Sequence, residues 1–113
     1  VMPKESSISP QTTAKCVFQK GGSLASGQLL NINFKGPMSG AGRLVVAAGN
    51  GGDLILEVFK NTTTGIELFG CTTINSNSSF NRSVTLSSTC QYLIQLVNTN
   101  QSPLAYSVLI FDN

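Results

Sequence analysis

Five acids and three thiols are the residues whose spacing raises the question of chemistry in this chain, and histidine is absent. The acids are Glu5, Asp53, Glu57, Glu67 and Asp112. Two of them, Glu57 and Glu67, fall on consecutive strand-like segments and face each other across the turn between them. A carboxylate pair of that kind serves glycoside hydrolysis when a cleft holds the sugar. Joined by Asp53, it also offers oxygen ligands to calcium, although no D-x-D-x-D spacing accompanies it. The plainer expectation is two solvent-facing strand residues. Without histidine there is no ordinary general base and no Ser-His or Cys-His nucleophile pair. "GNGG" at Gly49–Gly52 is followed by neither a helix nor Lys-Ser/Thr, so it reads as a hairpin turn rather than a phosphate loop. The expectation is a protein that is not an enzyme, with no catalytic, cofactor-binding or metal-binding residue and no cofactor.

Cys16, Cys71 and Cys90 lack a C-x-x-C spacing or a histidine, which argues against zinc. They are cytosolic thiols or the marks of an exported chain. The polar, lysine-poor surface favours export, where two of three cysteines pair. Cys71 and Cys90 bracket "CTTINSNSSFNRSVTLSSTC", read as a polar turn and one strand. A bridge between them would close a loop of about 20 residues and contribute about 3 kcal/mol in the chain-entropy account. Cys16 is then left as a buried thiol or an inter-subunit bond. Four sequons begin at Asn61, Asn77, Asn81 and Asn100, all in or beside predicted turns. The last is weakened by Pro103.

The elements that must carry these residues follow from hydropathy. Only 11% of the 113 residues are charged, the net charge is +2 and 41% are hydrophobic. Ordinary domains carry about 25% charged residues. Solubility therefore rests on Asn, Ser, Thr and Gln, and such a surface repels its own copies weakly. The seven basic residues are scattered singly, so no stripe exists to neutralise phosphates, and no nucleic-acid partner is expected. No apolar run reaches the ~18 residues of a membrane span.

Val1 to Ala14 carries Pro3 and Pro10 and no periodicity, and reads as a flexible N-terminal arm. Residues 15–113 read as one domain. From Lys15 the period is two. "KCVFQ" is a first strand and "GGSLASG" a loop. "QLLNINF" sets Leu30, Ile32 and Phe34 against Asn31 and Asn33. "RLVVAA" precedes "GNGG". In "DLILEVFKN", Leu54, Leu56 and Val58 share one face and Asp53, Ile55, Glu57 and Phe59 the other. "IELFG", "SFNRSVTL", "YLIQLVN" and "AYSVLIFDN" complete about eight short strands. No window supports a helix of three turns. The pattern predicts an all-β, single-domain antiparallel β-sandwich. The strand count favours a jelly roll over an immunoglobulin-like arrangement, which would want a Trp between paired cysteines.

Two resemblances follow. The arm, the "TTAKC" cysteine before the first strand and the small sandwich ending in a C-terminal strand resemble bacterial endospore-appendage subunits in layout. That resemblance implies subunits stacked edge to edge and bonded by connector cysteines, with Cys16 as the receiving thiol. No cysteine precedes residue 16 to act as donor. "GDLILEVFKN" and "CQYLIQLVNTNQSPLAYSVLI" are similar to strands of bacterial pre-peptidase C-terminal domains. There an acidic "DLD" stands where this chain has Asp53-Leu54-Ile55.

The functional expectation is a self-assembling structural subunit of an extracellular filament, appendage or coat, at a cell or spore surface. Its partners would be copies of itself, with surface glycan as a second possibility. It would polymerise by β-sheet edge augmentation with the arm as connector. The alternatives are a non-catalytic accessory module that binds carbohydrate or protein, and a viral capsid or decoration protein.

Overall fold

Alternation of apolar and polar residues becomes alternation of buried and exposed ones along every central strand of the computed structural model, which describes residues 15–37, 40–60 and 66–112. The strands are β1 (Lys15–Leu24), β2 (Leu29–Lys35), β3 (Ala41–Ala48), β4 (Leu54–Lys60), β5 (Ile66–Ile74), β6 (Ser79–Thr85), β7 (Gln91–Asn98) and β8 (Leu104–Asp112). The first sheet has the order β1-β8-β3-β6 and the second β2-β7-β4-β5, with every pairing antiparallel. This is the eight-stranded jelly-roll sandwich that the strand count predicts. The arm, residues 1–14, and the sequon at Asn61 lie outside the described residues.

Of the consecutive strands, only β4 and β5 are paired; every other connection passes from one sheet to the other. "GNGG" therefore carries the chain between sheets and is not the hairpin turn the sequence suggests. The first strand is also longer than "KCVFQ". Gly21 and Gly22 continue it, opposite Ser107 and Tyr106 of β8. A Cβ at Gly22 would reach ordinary van der Waals contact with the Tyr106 ring, 3.4 to 3.7 Å from its atoms, so it is the pairing with β8 that makes this glycine pair a strand. β5 likewise runs on through "CTTI", which places Cys71 inside a strand.

The core lies between the sheets. Leu44, Val46, Leu54, Leu56, Val58, Ile94, Leu96, Val108 and Ile110 are fully buried. Each sits on the inward face of a strand, and burial of such a side chain contributes on the order of 1.5–3 kcal/mol. Aromatic clusters close both open sides of the sandwich. On one, Phe18 of β1 stacks on Phe34 of β2 with ring centres 5.0 Å apart, and Phe34 on Tyr92 of β7 at 5.9 Å. On the other, Phe69 of β5 meets Phe80 of β6 edge-on at 5.5 Å.

Candidate functional site

Among the described residues the sandwich has four edge strands, and a row of edge backbone groups is a template for another chain unless it is blunted. Three of the four are blunted by their own residues. β1 has a bulge between Cys16 and Phe18. It also turns Lys20, opposite the buried Val108, toward the inside of the sandwich, where only an exposed edge lets the ammonium reach water. β6 does the same with Arg82, opposite the buried Leu44. The Arg82 guanidinium lies 5.1 Å from the centres of both Phe69 and Phe80. β5 shifts register twice against β4, and the Thr72 hydroxyl donates to Gly70 O at 2.9 Å.

The exception is β2. It pairs with β7 without a bulge from Leu29 to Lys35 and carries no inward charge and no proline. Gln28 O accepts from Asn98 N at 3.0 Å before the strand, and Gly36 N donates to Cys90 O at 2.9 Å after it. Antiparallel alternation between those two bonds assigns Leu30, Ile32 and Phe34 to β7. The N–H and C=O groups of Leu29, Asn31, Asn33 and Lys35 then point off the sheet. Leu29 is 49% exposed at the start of this row.

The acids fall as their spacing suggests, in part. Glu57 and Glu67 meet across the β4–β5 hairpin on the outer face of the second sheet. A hydrogen bond from Glu57 and, with it, the like charge hold the Glu67 carboxyl above its ordinary value. Asp53 is elsewhere, accepting from Ser76 N at 3.2 Å. No cluster of three His, Cys, Asp or Glu side chains fit for a metal exists among the described residues. The carboxylate pair is thus a crowded pair on an open surface. Shallow depressions of about 200 Å³ over Ala47–Gly49 and Ala105–Ser107, and of about 170 Å³ beside Thr72, Ser78 and Phe80, are well below the roughly 300–1,000 Å³ of ordinary ligand pockets.

The Cys71–Cys90 bridge is not supported: all three thiols are separate. In the sequence these two residues bracket one strand, but that strand, β6, belongs to the other sheet. β4 intervenes between β5 and β7, and the two cysteines are also offset by roughly five residues, about 16 Å, along the strands. A bridge needs Cα atoms within about 7 Å. Cys90 lies instead beside Tyr92. Burial first, then the neighbouring Cys90, push that phenol upward, while the bond its oxygen accepts from Ser87 N at 2.8 Å pulls the other way. Cys16 is exposed on edge strand β1, its thiol 3.5 Å from Phe18 O.

The sequons also separate. Asn77 occupies the β5–β6 turn with φ of 60°, a conformation Asn tolerates. Asn81 lies within β6, its oxygen accepting from Arg43 at 2.7 Å. Asn100 is a structural residue. Its amide nitrogen donates to Asp53 O at 2.8 Å and to Asn98 Oδ1 at 2.7 Å. A side chain on Gly52 would overlap that amide. A glycan would have to replace one of those N–H donors.

The polar cluster around Asn98 is the feature sequence reasoning missed. Asn98 is fully buried. Its nitrogen donates to Leu24 O, Ala25 O and Ser102 O at 3.0, 3.2 and 2.9 Å. Its oxygen accepts from Asn100 N at 2.9 Å. One amide thus joins the β1–β2 and β7–β8 connections, and Asn100 extends the network to Asp53. The only sequence signal is phase: Asn98 continues the inward series Tyr92, Ile94, Leu96.

No family model and no curated protein matches this chain. Solved structures do. A mitogen from Yersinia pseudotuberculosis superposes with a TM-score of 0.57 at 12% identity, covering 85% of each chain. PirA gives 0.59 at 7% identity over 82% of this chain and 93% of its own. A de novo designed double-stranded β-helix gives 0.51 at 16% identity over 82% and 97%. At such identities the likeness establishes the β-sandwich, jelly-roll class, and no narrower family follows from it.

Proposed function

We propose that this chain is a structural, self-associating β-sandwich subunit of an extracellular filament, appendage or coat, and that it does no catalysis. The observation that carries the reading is the contrast among edges. Three are blunted by inward charge or by bulges, and β2 offers a straight row of backbone groups that have no partner among the described residues. A second copy that adds a strand there gains main-chain hydrogen bonds with no change in fold. Low charge makes that approach inexpensive in repulsion. Cys16, exposed on β1, is available as an inter-subunit thiol once copies are in register, and Asn77, in the β5–β6 turn away from the sheet faces, is the described sequon with room for a surface glycan.

Electron microscopy and light scattering of the purified full chain test the reading, with Asn33→Pro as the key variant. Proline at this position removes a solvent-facing N–H and leaves the ladder to β7 intact, a placement edges accept. In dilute solution at moderate salt, wild type is expected to form filaments or rings, and Asn33→Pro to stay dispersed with an unchanged circular dichroism spectrum. Dispersed wild-type monomers at high concentration would reject self-association through β2.

A further inference from the structure

The two sheets do not share charge evenly. The strands of the first carry Lys15, Lys20, Arg43 and Arg82 against Asp112 alone; those of the second carry Lys35 and Lys60 against Glu57 and Glu67. The outer faces sharpen the contrast. On the first sheet Arg43 stands exposed, its bonds among the described residues going to neutral groups, Asn81 Oδ1 at 2.7 Å and Ser83 Oγ at 3.4 Å. Beside it lie Val45, Leu109 and Phe111, half-buried in one continuous patch by the β3–β8 register. On the second sheet the crowded Glu57–Glu67 pair stands among half-buried Ile55, Phe59, Leu93 and Val97. One face is an apolar patch with a cation; the other is an apolar patch with two carboxylates at its middle and exposed Lys35 at the far end of edge strand β2.

We infer that the outer face of the first sheet docks on the outer face of the second sheet of another copy of this chain, with Arg43 set against Glu57 and Glu67. The inference goes beyond strand addition at β2: it uses faces, not edges, and rests on the proposed function only in that the partner is a second copy. The contact is heterologous, because the two patches differ, and because they lie on opposite sides of the sandwich it repeats face to back as a stack. Stacked sheets lie about 10 Å apart, which leaves room for one interdigitated layer of side chains. Arg43 relieves the repulsion between the two carboxylates, a relief unavailable to the lone chain. Four strands and seven residues span about 19 Å by 23 Å, or roughly 900 Å² summed over both partners. That is the size of a weak interface, so the stack forms at high concentration and loosens with salt.

Sedimentation equilibrium of the full chain in the Asn33→Pro background, at low salt, isolates this contact from edge pairing. The average mass is expected to rise with concentration. Arg43→Glu alone, and Glu57→Lys with Glu67→Lys alone, should each weaken association by about tenfold or more, because each places like charges in the contact. An equimolar mixture of the two variants should recover it. Association untouched by the charge reversals, or a mixture that stays monomeric, overturns the inference. If instead wild type and Asn33→Pro assemble alike while the charge reversals dissociate both, edge pairing fails and face stacking stands.

Discussion

The Arg82 guanidinium carbon lies 5.1 Å above the Phe80 ring on the inward side of an edge strand. A charged side chain there does two things. It covers the Phe69–Phe80 pair that closes one side of the sandwich, and it forbids another strand from continuing the core past β6.

Replacing it separates these effects. Arg82→Ala is expected to lower stability by about 1 kcal/mol, the scale of exposed cation–π contacts, as read by urea denaturation. Arg82→Leu is expected to keep or raise stability and to aggregate faster, because the edge then continues as apolar surface. Equal aggregation rates for wild type and Arg82→Leu would show that the charge guards nothing.

Asn98 is expected to be the costliest polar residue to change. Asn98→Ala strips the donors from Leu24 O, Ala25 O and Ser102 O and the acceptor from Asn100 N. Buried groups left unsatisfied cost about 1–3 kcal/mol each. With partial relaxation a loss of about 3 kcal/mol is expected, or a melting temperature lower by roughly 12 °C or more for a domain of this size. Asn98→Asp keeps the shape but sets a carboxylate against three carbonyl oxygens. It should be at least as damaging at neutral pH and recover partly in acid. A loss below about 1 kcal/mol for Asn98→Ala would mean that water replaces the amide easily.

Side-chain phase was legible in the sequence, and connectivity was not. Leu30, Ile32 and Phe34, and Leu54, Leu56 and Val58, announce their inward faces because burial imposes a period of two. Phe80, Arg82, Val84 and Leu86 do so as well, and the one charge in that series marks an edge strand. Glu57 and Glu67 could be placed together because β4 and β5 form a true hairpin. Cys71 and Cys90 could not be placed apart, because nothing local tells a hairpin from a crossing to the other sheet. Gly21 and Gly22 read as a loop because their strand character is imposed from outside, by pairing with Ser107 and Tyr106 of β8. The Asn98 network escaped notice because its partners are backbone carbonyls of distant connections, which leave no trace in residue type.

The Glu57–Glu67 pair makes a pH prediction whose sign is definite. The hydrogen bond and the like charge from Glu57 raise the Glu67 pKa in the folded chain. The folded chain therefore holds this proton more tightly than the unfolded chain does. The resulting stabilisation is complete below the unfolded value of about 4.3 and is lost as pH rises through the raised value. Above that window the two carboxylates repel on an open surface, where water screens them and the effect on stability is small. Glu57→Gln should bring Glu67 back toward the ordinary carboxylate value and flatten the pH dependence of stability in this window. Carboxyl-carbon NMR titration of both proteins reads the first effect directly, and urea midpoints on either side of the window read the second. An ordinary Glu67 titration in the wild-type chain would mean that the two side chains splay apart in solution.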